Sequence, residues 1–238
     1  MVMMEGGILL VDKPAGMSSF GVVARVRRKL SEEAGFVEVK GKDGVLRQKR
    51  KKVKVGHTGT LDPFATGLLV ILTGKETKKA NEFLKLDKEY IATMKLGYTS
   101  TTGDIEGEII VSNSSVRVPK LVDVEKVVEK FMGETEQTVP VYSAVKINGQ
   151  RAYKLAREGK EVEMPKRKVR IDEIEILRYE WPYLEIRCKV SSGTYIRALG
   201  EDIGKLLGTG AYLTALRRTQ VGKYRIEDAK ALEEMGLK

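Results

Sequence analysis

The 238-residue chain has a single histidine, His57, in the stretch GHTGTLDPFATG at positions 56–67, just ahead of an Asp-Pro pair at 62 and 63. Two uses of that aspartate are open. Pro63 steers Asp62 away from helical dihedrals and itself suits the first position of a helix, so Asp62 reads as a helix cap. A chemical role as nucleophile or base is the other reading, because the glycines and threonines around it, Thr58 and Gly59 among them, offer N–H groups and hydroxyls to an approaching phosphate or base. A cap needs none of these. His57 reads either as a structural histidine or as a ligand contact. A second oddity is Thr194-Tyr195-Ile196-Arg197 at the head of a helical pattern. With Thr194 as cap, Arg197 falls in the first turn, where the helix dipole disfavours a cation. It is at home there if its guanidinium grips a carboxylate with two hydrogen bonds, and Asp62 is the partner this reading selects. A side chain snorkelling to solvent is the alternative.

Other chemistries fail on residue types. One cysteine, Cys188, and one histidine cannot build a zinc cluster, so no metal site is expected. GLLVILTGKE at 67–76 has six residues between its glycines and Glu76 where a phosphate loop needs Ser or Thr, and GTGAYL at 208–213 has Leu213 where a dinucleotide fingerprint needs glycine. No G-x-S-x-G elbow occurs. No cofactor is therefore expected, and carboxylate, tyrosine and arginine chemistry remains. Its substrate should be polyanionic, since 43 Lys and Arg against 33 Asp and Glu leave a net charge of +10. A lone cysteine forms no intrachain disulfide and suits a reducing cytoplasm. The start MVMMEGGILLVDKPAG has no leader pattern, and the apolar run GLLVIL is too short to span a bilayer, so no membrane partner is expected.

The elements that must hold these residues follow from periodicity. GILLVD at 7–12 reads as a buried strand, and a helix capped by Ser18 or Ser19 runs to about Leu30 with Val22, Val23, Val26 and Leu30 on one face. VEVKGKDGVLR at 37–47 alternates like a small hairpin and runs into the charge block QKRKKVK; the excursion covers about 35–54. GLLVILTG reads as a buried strand and ETKKANEFLKL as a helix, KEYIATMKLGYT and EGEIIVS as paired strands, and VDVEKVVEKFMG as a helix. YSAVKING is strand and turn, QRAYKLAREG a helix, and 161–190 two long strands. TYIRALGEDIGKLLG is a helix with Ile196, Leu199, Ile203, Leu206 and Leu207 inward, and AYLTALRRTQVGKYRI returns to the sheet. The irregular interleaving predicts an α+β fold with a mixed, largely antiparallel central sheet flanked by helices, in a single domain over 1–238, since composition marks no boundary.

The runs GILLVDKPAGMSS, GHTGTLDPFATGLLVILTGKETK, KEYIATMKLG, PVYSAVKINGQRAYKLAREG and SSGTYIRALGEDIGKLLGTGAYLTALRRTQVGKY together resemble the TruB family of tRNA pseudouridine synthases. The resemblance implies a pseudouridine synthase catalytic domain that isomerises a uridine, expected at position 55 of the tRNA T loop, without cofactor. Asp62 then corresponds to the catalytic aspartate, Arg197 to its ion-pair partner and Tyr90 to the tyrosine that stacks on the flipped-out base. His57 corresponds to the histidine that holds the flipped conformation, and Tyr195 and Leu216 to pocket contacts. Lys13, Arg217, Arg218 and the 49–54 block are candidates to hold the RNA backbone. The T arm of tRNA is the implied partner, with no obligatory protein partner and a monomeric enzyme. The chain departs from the family in its basic insertion at about 35–54, and no C-terminal PUA domain is evident. A guide-RNA-dependent relative, a non-catalytic tRNA-binding or folding module, and a glycosidase pairing Asp62 with Asp104 or Glu106 are the competing readings.

Overall fold

A computed structural model describes residues 6–112, 117–160 and 162–237. In chain order the elements are β1 (Gly6–Lys13), α1 (Ser19–Glu33), β2 (Phe36–Lys40), β3 (Leu46–Arg50), β4 (Val55–His57), β5 (Thr66–Gly74), a 3-10 turn leading into α2 (Ala80–Leu84), β6 (Lys88–Leu96), β7 (Tyr98–Ser100), β8 (Ile109–Val111), α3 (Leu121–Glu129), β9 (Gly133–Thr138), β10 (Lys146–Ile147), β11 (Gln150–Arg151), α4 (Ala152–Arg157), β12 (Lys166–Glu180), β13 (Tyr183–Val190), α5 (Ile196–Leu206), β14 (Ala211–Val221), β15 (Tyr224–Arg225) and β16 (Lys230–Ala231). The α+β class and the mixed, largely antiparallel pairing agree with the sequence pattern. By internal contacts the chain forms two compact units, 1–86 with 217–238, and 87–216.

In the first unit, β5 is the central strand, and its run of seven consecutive buried residues is the signature of a strand covered on both faces. It pairs antiparallel with β1 from Gly6↔Gly74 to Lys13↔Gly67, while its other edge takes β4 antiparallel at one end and the last part of β14, parallel, at Arg217↔Thr66 and Arg218↔Gly67. β16 adds to β1 in parallel. Leu9, Val11, Leu69 and Ile71 face α1, whose Val22, Val23, Val26 and Leu30 complete one core; Leu68, Val70 and Leu72 face Phe83 and Val221 on the other side. Ser18 caps α1, accepting from Gly21 N at 3.0 Å. β2 and β3 form the expected hairpin, with every residue of both strands exposed.

In the second unit β6, β13, β12 and β9 lie side by side, all antiparallel. β6 alternates strictly between buried and half-buried residues, as a strand with one packed face should. β9, the edge strand GETEQT, has no counterpart among the sequence expectations: Gln137 is its one buried residue, so it carries no hydrophobic period. α5 packs on β6 and β9. It begins one residue later than a Thr194 cap requires, with Tyr195 at the cap position, while the Thr194 hydroxyl donates to Ser191 O at 2.9 Å. Leu206, expected inward, is 54% exposed. Gly200 and Gly204 take the inward positions instead, because a Cβ at Gly204 would overlap Gly210 and Ala211 where the chain folds back into β14.

Gly67 shows how tightly β5 and β14 are joined. Its φ is +101°, and a Cβ there would run into the backbone N and O of Arg218. Gly67→Ala is expected to lower the unfolding free energy by about 2–4 kcal/mol, from left-handed strain together with overpacking. Urea unfolding followed by far-UV circular dichroism checks it; a loss below 1 kcal/mol, or about that, contradicts the close approach.

Candidate active site

The 61–65 segment is a turn that leads directly into β5, with Ala65 N donating to Asp62 O at 3.1 Å. No helix follows Pro63, which removes the cap reading of Asp62. Its side chain is half-buried. Three residues from β1, the loop after it and the start of α1 hold this turn. The Ser19 hydroxyl donates to Leu61 O at 2.9 Å and accepts from Leu61 N at 2.8 Å, so Ser19 serves the turn while Ser18 serves the helix. Gly16 N donates to Pro63 O at 2.9 Å. Lys13, fully buried, donates from Nζ to Pro63 O at 3.2 Å, Pro14 O at 2.9 Å and Met17 O at 2.6 Å. Asp62 is thereby fixed on both sides by groups distant in sequence.

Two of the basic residues expected to hold RNA, Lys13 and Arg218, are internal struts, while the basic residues of the 49–54 block are exposed. Lys13 is shut off from solvent. Arg218 is 2% exposed and donates to Leu68 O at 2.7 Å and Gly59 O at 3.1 Å, tying the glycine turn to β5. Arg217 makes a two-pronged pair with Asp12 at 2.7 and 3.1 Å. Thr58, expected to face substrate, is 2% exposed, and its N–H and hydroxyl both donate to Val70 O, at 3.0 and 3.3 Å. The sheet takes its hydrogen-bonding capacity, and Gly59 N turns to His57 Nδ1 at 3.4 Å. His57 is half-buried at the end of β4, opposite Ile71. Burial first, and the Arg218 charge second, hold its imidazole below the usual histidine value of 6.5, so the neutral ring is favoured.

In the second unit Arg197 lies in the first turn of α5 and is 5% exposed, which excludes snorkelling. A carboxylate meets it there: Asp104 Oδ2 stands 3.3 Å from Nη1, and Thr102 O and Tyr142 O accept at 2.7 and 2.8 Å. Asp104 is also buried, and its Oδ1 accepts from the Thr102 hydroxyl at 2.6 Å and Glu106 N at 2.9 Å. Those bonds offset the cost of burying the pair. They also commit Asp104 to Arg197, which removes it as the second carboxylate of a glycosidase. Tyr195 is held by Gln137, which accepts from its N at 2.7 Å and donates to its O at 3.0 Å. Tyr90 sits on the packed face of β6 opposite Cys188 and is 8% exposed; Leu216 on β14 is 7% exposed. Burial chiefly pushes the Cys188 thiol up to about 12, so it supplies no thiolate nucleophile.

A cavity of about 250 Å³ beside α5 is lined by Thr102, Tyr142, Ala198, Glu201 and Asp202 among others. Burial raises both carboxyls. A cleft with two acids repels phosphate and is no polyanion site. Among the described residues there is no group of His, Cys, Asp and Glu that could hold a metal ion, and no helix long and apolar enough to cross a membrane. Sequence reading missed Asp104 as Arg197's anchor, because it sits in a TTGD turn where aspartate is ordinary. It missed Gln137 altogether, since a lone buried amide in a polar edge strand leaves no periodic signal.

A fixed carboxylate turn and a buried, braced arginine on an α+β scaffold are features of an enzyme. The chain belongs to the TruB family: residues 47–196 match TruB family pseudouridylate synthase (N terminal domain), and residues 197–236 match the tRNA pseudouridylate synthase B C-terminal domain. It is 44% identical over 96% of its length to a tRNA pseudouridine synthase B of Phocaeicola vulgatus, covering 91% of that protein. To one of Francisella tularensis it is 52% identical over 76% of its length and 60% of the relative's. A chain from the crystal structure of a Cbf5-Nop10-Gar1 complex aligns over 97% of this chain with a TM-score of 0.68 and 28% identity, and one from an archaeal box H/ACA sRNP Nop10-Cbf5 complex over 98% with 0.65 and 25%. This chain spans about half the length of those two.

Lys13→Met withdraws a buried ammonium from three carbonyls, of which Pro63 O keeps the Gly16 N–H, at a cost of about 1–3 kcal/mol for the first and less for the others as they relax. The expected total loss is about 3 kcal/mol, read from urea unfolding; a change under about 1 kcal/mol would show that the carbonyls do not depend on the ammonium. His57 gives a pH signature. Its folded value is depressed, so its stabilising contribution is complete above about pH 6.5 and is lost as pH falls through the lower folded value. With one histidine in the chain, the proton NMR titration is unambiguous. A midpoint below 6.5 is expected, together with a steeper drop in melting temperature between pH 7 and 5 for the wild type than for His57→Asn.

Proposed function

We propose that this chain isomerises a uridine of tRNA to pseudouridine, with Asp62 as the catalytic carboxylate. The N-glycosidic bond breaks, the freed uracil turns while bound, and a carbon-carbon bond forms from C5 to C1′; the C5 proton leaves and N1 ends protonated. No electrons are exchanged, so no redox cofactor enters the balance. Asp62 acts next to the sugar as nucleophile or base. Arg197 is proposed as its ion-pair partner, a role supported by the rigid seating that Asp104, Thr102 and Tyr142 give the guanidinium. Extruding the base costs a few kcal/mol, and stacking on Tyr90 returns roughly 1–3 kcal/mol. Neutral His57 holds the everted base by hydrogen bonding without adding charge, and Tyr195, placed by Gln137, and Leu216 wall the pocket. Position 55 of the T loop is the proposed target, reached as a monomer without protein partners in a reducing cytoplasm.

The observation that carries this reading is the clamped turn at Asp62: Lys13, Gly16 and Ser19 bond the backbone of Leu61 and Pro63, on either side of a half-buried aspartate that caps no helix. The test incubates unmodified tRNA transcript, tritiated at uracil C5, with the protein alone. Wild type is expected to release tritium while uracil stays in the RNA, and Asp62→Asn to slow release at least about a thousandfold. Free uracil in solution identifies a hydrolase, release that needs added proteins identifies a guided enzyme, and retained label rejects isomerisation.

A further inference from the structure

The hairpin of β2 and β3 is unexplained by folding. Residues 36–54 carry eight basic side chains (Lys40, Lys42, Arg47, Lys49, Arg50, Lys51, Lys52, Lys54) against two acidic ones (Glu38, Asp43), a net +6 of the chain's +10. Arg47 pairs with Asp43 and Arg50 with Glu32. The six lysines are exposed and have no side-chain partner among the described residues. The hairpin also turns apolar groups outward, with Phe36 63% and Leu46 62% exposed. By register, Phe36 lies across from Arg50 and Lys40 across from Leu46, so one face of the ribbon interleaves apolar and basic side chains; Val37 and Val39 with Lys49 and Arg47 do the same on the other. Edge lysines alone would keep a bare hairpin from aggregating, but that function does not call for an outward phenylalanine. A two-stranded ribbon whose residues are all exposed is marginal in water, so this sequence is spending stability on a surface.

We infer that the hairpin is a second RNA-binding element, which grips the phosphate backbone of the tRNA substrate with its lysines and packs Phe36 against a nucleotide; it rests on the tRNA reading of the Asp62 site. Its base is tied to the same unit as that site, through Val53 N to Ser31 Oγ of α1 at 3.4 Å and through Val53 and Val55, which are buried in the core beneath α1. Six residues lie between Arg50 and His57, so their Cα atoms are at most about 25 Å apart. That is within one turn of an RNA duplex, a length of backbone that presents many phosphate charges. RNA seated at the Asp62 turn therefore extends within reach of the lysines.

The test is done in the Asp62→Asn background, so that it reads affinity whether or not the protein isomerises uridine. Unmodified tRNA transcript is titrated at several salt concentrations against that protein, the same protein carrying Lys49→Gln, Lys51→Gln and Lys52→Gln, and the same protein carrying Phe36→Ser. Melting temperatures confirm that each is folded. The lysine variant is expected to bind roughly tenfold more weakly near 0.1 M salt, with a slope of log affinity against log salt shallower by about two to three. Phe36→Ser is expected to weaken binding about fivefold or more with the slope unchanged, since stacking releases no counterions. Unchanged tRNA affinity and slope in both variants overturns the inference, as does a lysine effect confined to binding of anionic phosphatidylserine vesicles, which would assign the hairpin to a membrane surface. If Asp62→Asn retains isomerase activity while the lysine variant still loses affinity, the active-site reading fails and the hairpin inference stands.

Discussion

A buried ammonium must be surrounded by acceptors, and in this protein that requirement shapes the candidate site. Lys13 ends β1 with its charge sealed inside, so three carbonyls have to converge on it: Pro14 and Met17 from its own loop, and Pro63 from a segment fifty residues away. The convergence draws the loop after β1 onto the turn that carries Asp62, and Ser19 and Gly16 then find partners there without further cost in chain entropy. Moving Asp62 by an ångström would mean breaking several of these bonds together. A carboxylate asked to meet a reacting atom needs that sort of restraint.

Arginine repeats the pattern. Arg218 ties Gly59 and Leu68 together across the close strand contact that Gly67 permits, and Arg197 gathers Asp104, Thr102 and Tyr142 around the start of α5. In each case a charge that a composition count assigns to nucleic-acid binding is used to hold backbone in place. The surface left to attract a polyanion is correspondingly concentrated, with much of the excess charge on one hairpin. Net charge is thus a sound guide to the class of partner and a poor guide to which residues touch it.

The elements were legible because most carry strong periods. The seven-residue buried run of β5, the alternation of β6 and the valine face of α1 leave little choice. β9 was not legible, since an edge strand with one inward glutamine has no period to read. Leu206 was misplaced because the inward face near the end of α5 is taken by Gly200 and Gly204, which carry no apolar signal. Thr58 was misassigned for a related reason: a threonine next to glycines offers a hydroxyl to any acceptor, and Val70 O, brought alongside by β5, took it.

From sequence alone came the residue types, and these exclude chemistries firmly: one histidine and one cysteine cannot assemble a zinc centre in any fold, and an Asp-Pro pair in a glycine turn marks a carboxylate held out of helical geometry. Partner choice belonged to the tertiary structure. Hydrogen bonds and ion pairs form between atoms a few ångströms apart in space, and residues 13 and 63, 104 and 197, or 137 and 195 are brought within that distance only by the folded chain, so which cations became struts and which stayed outside was decided there.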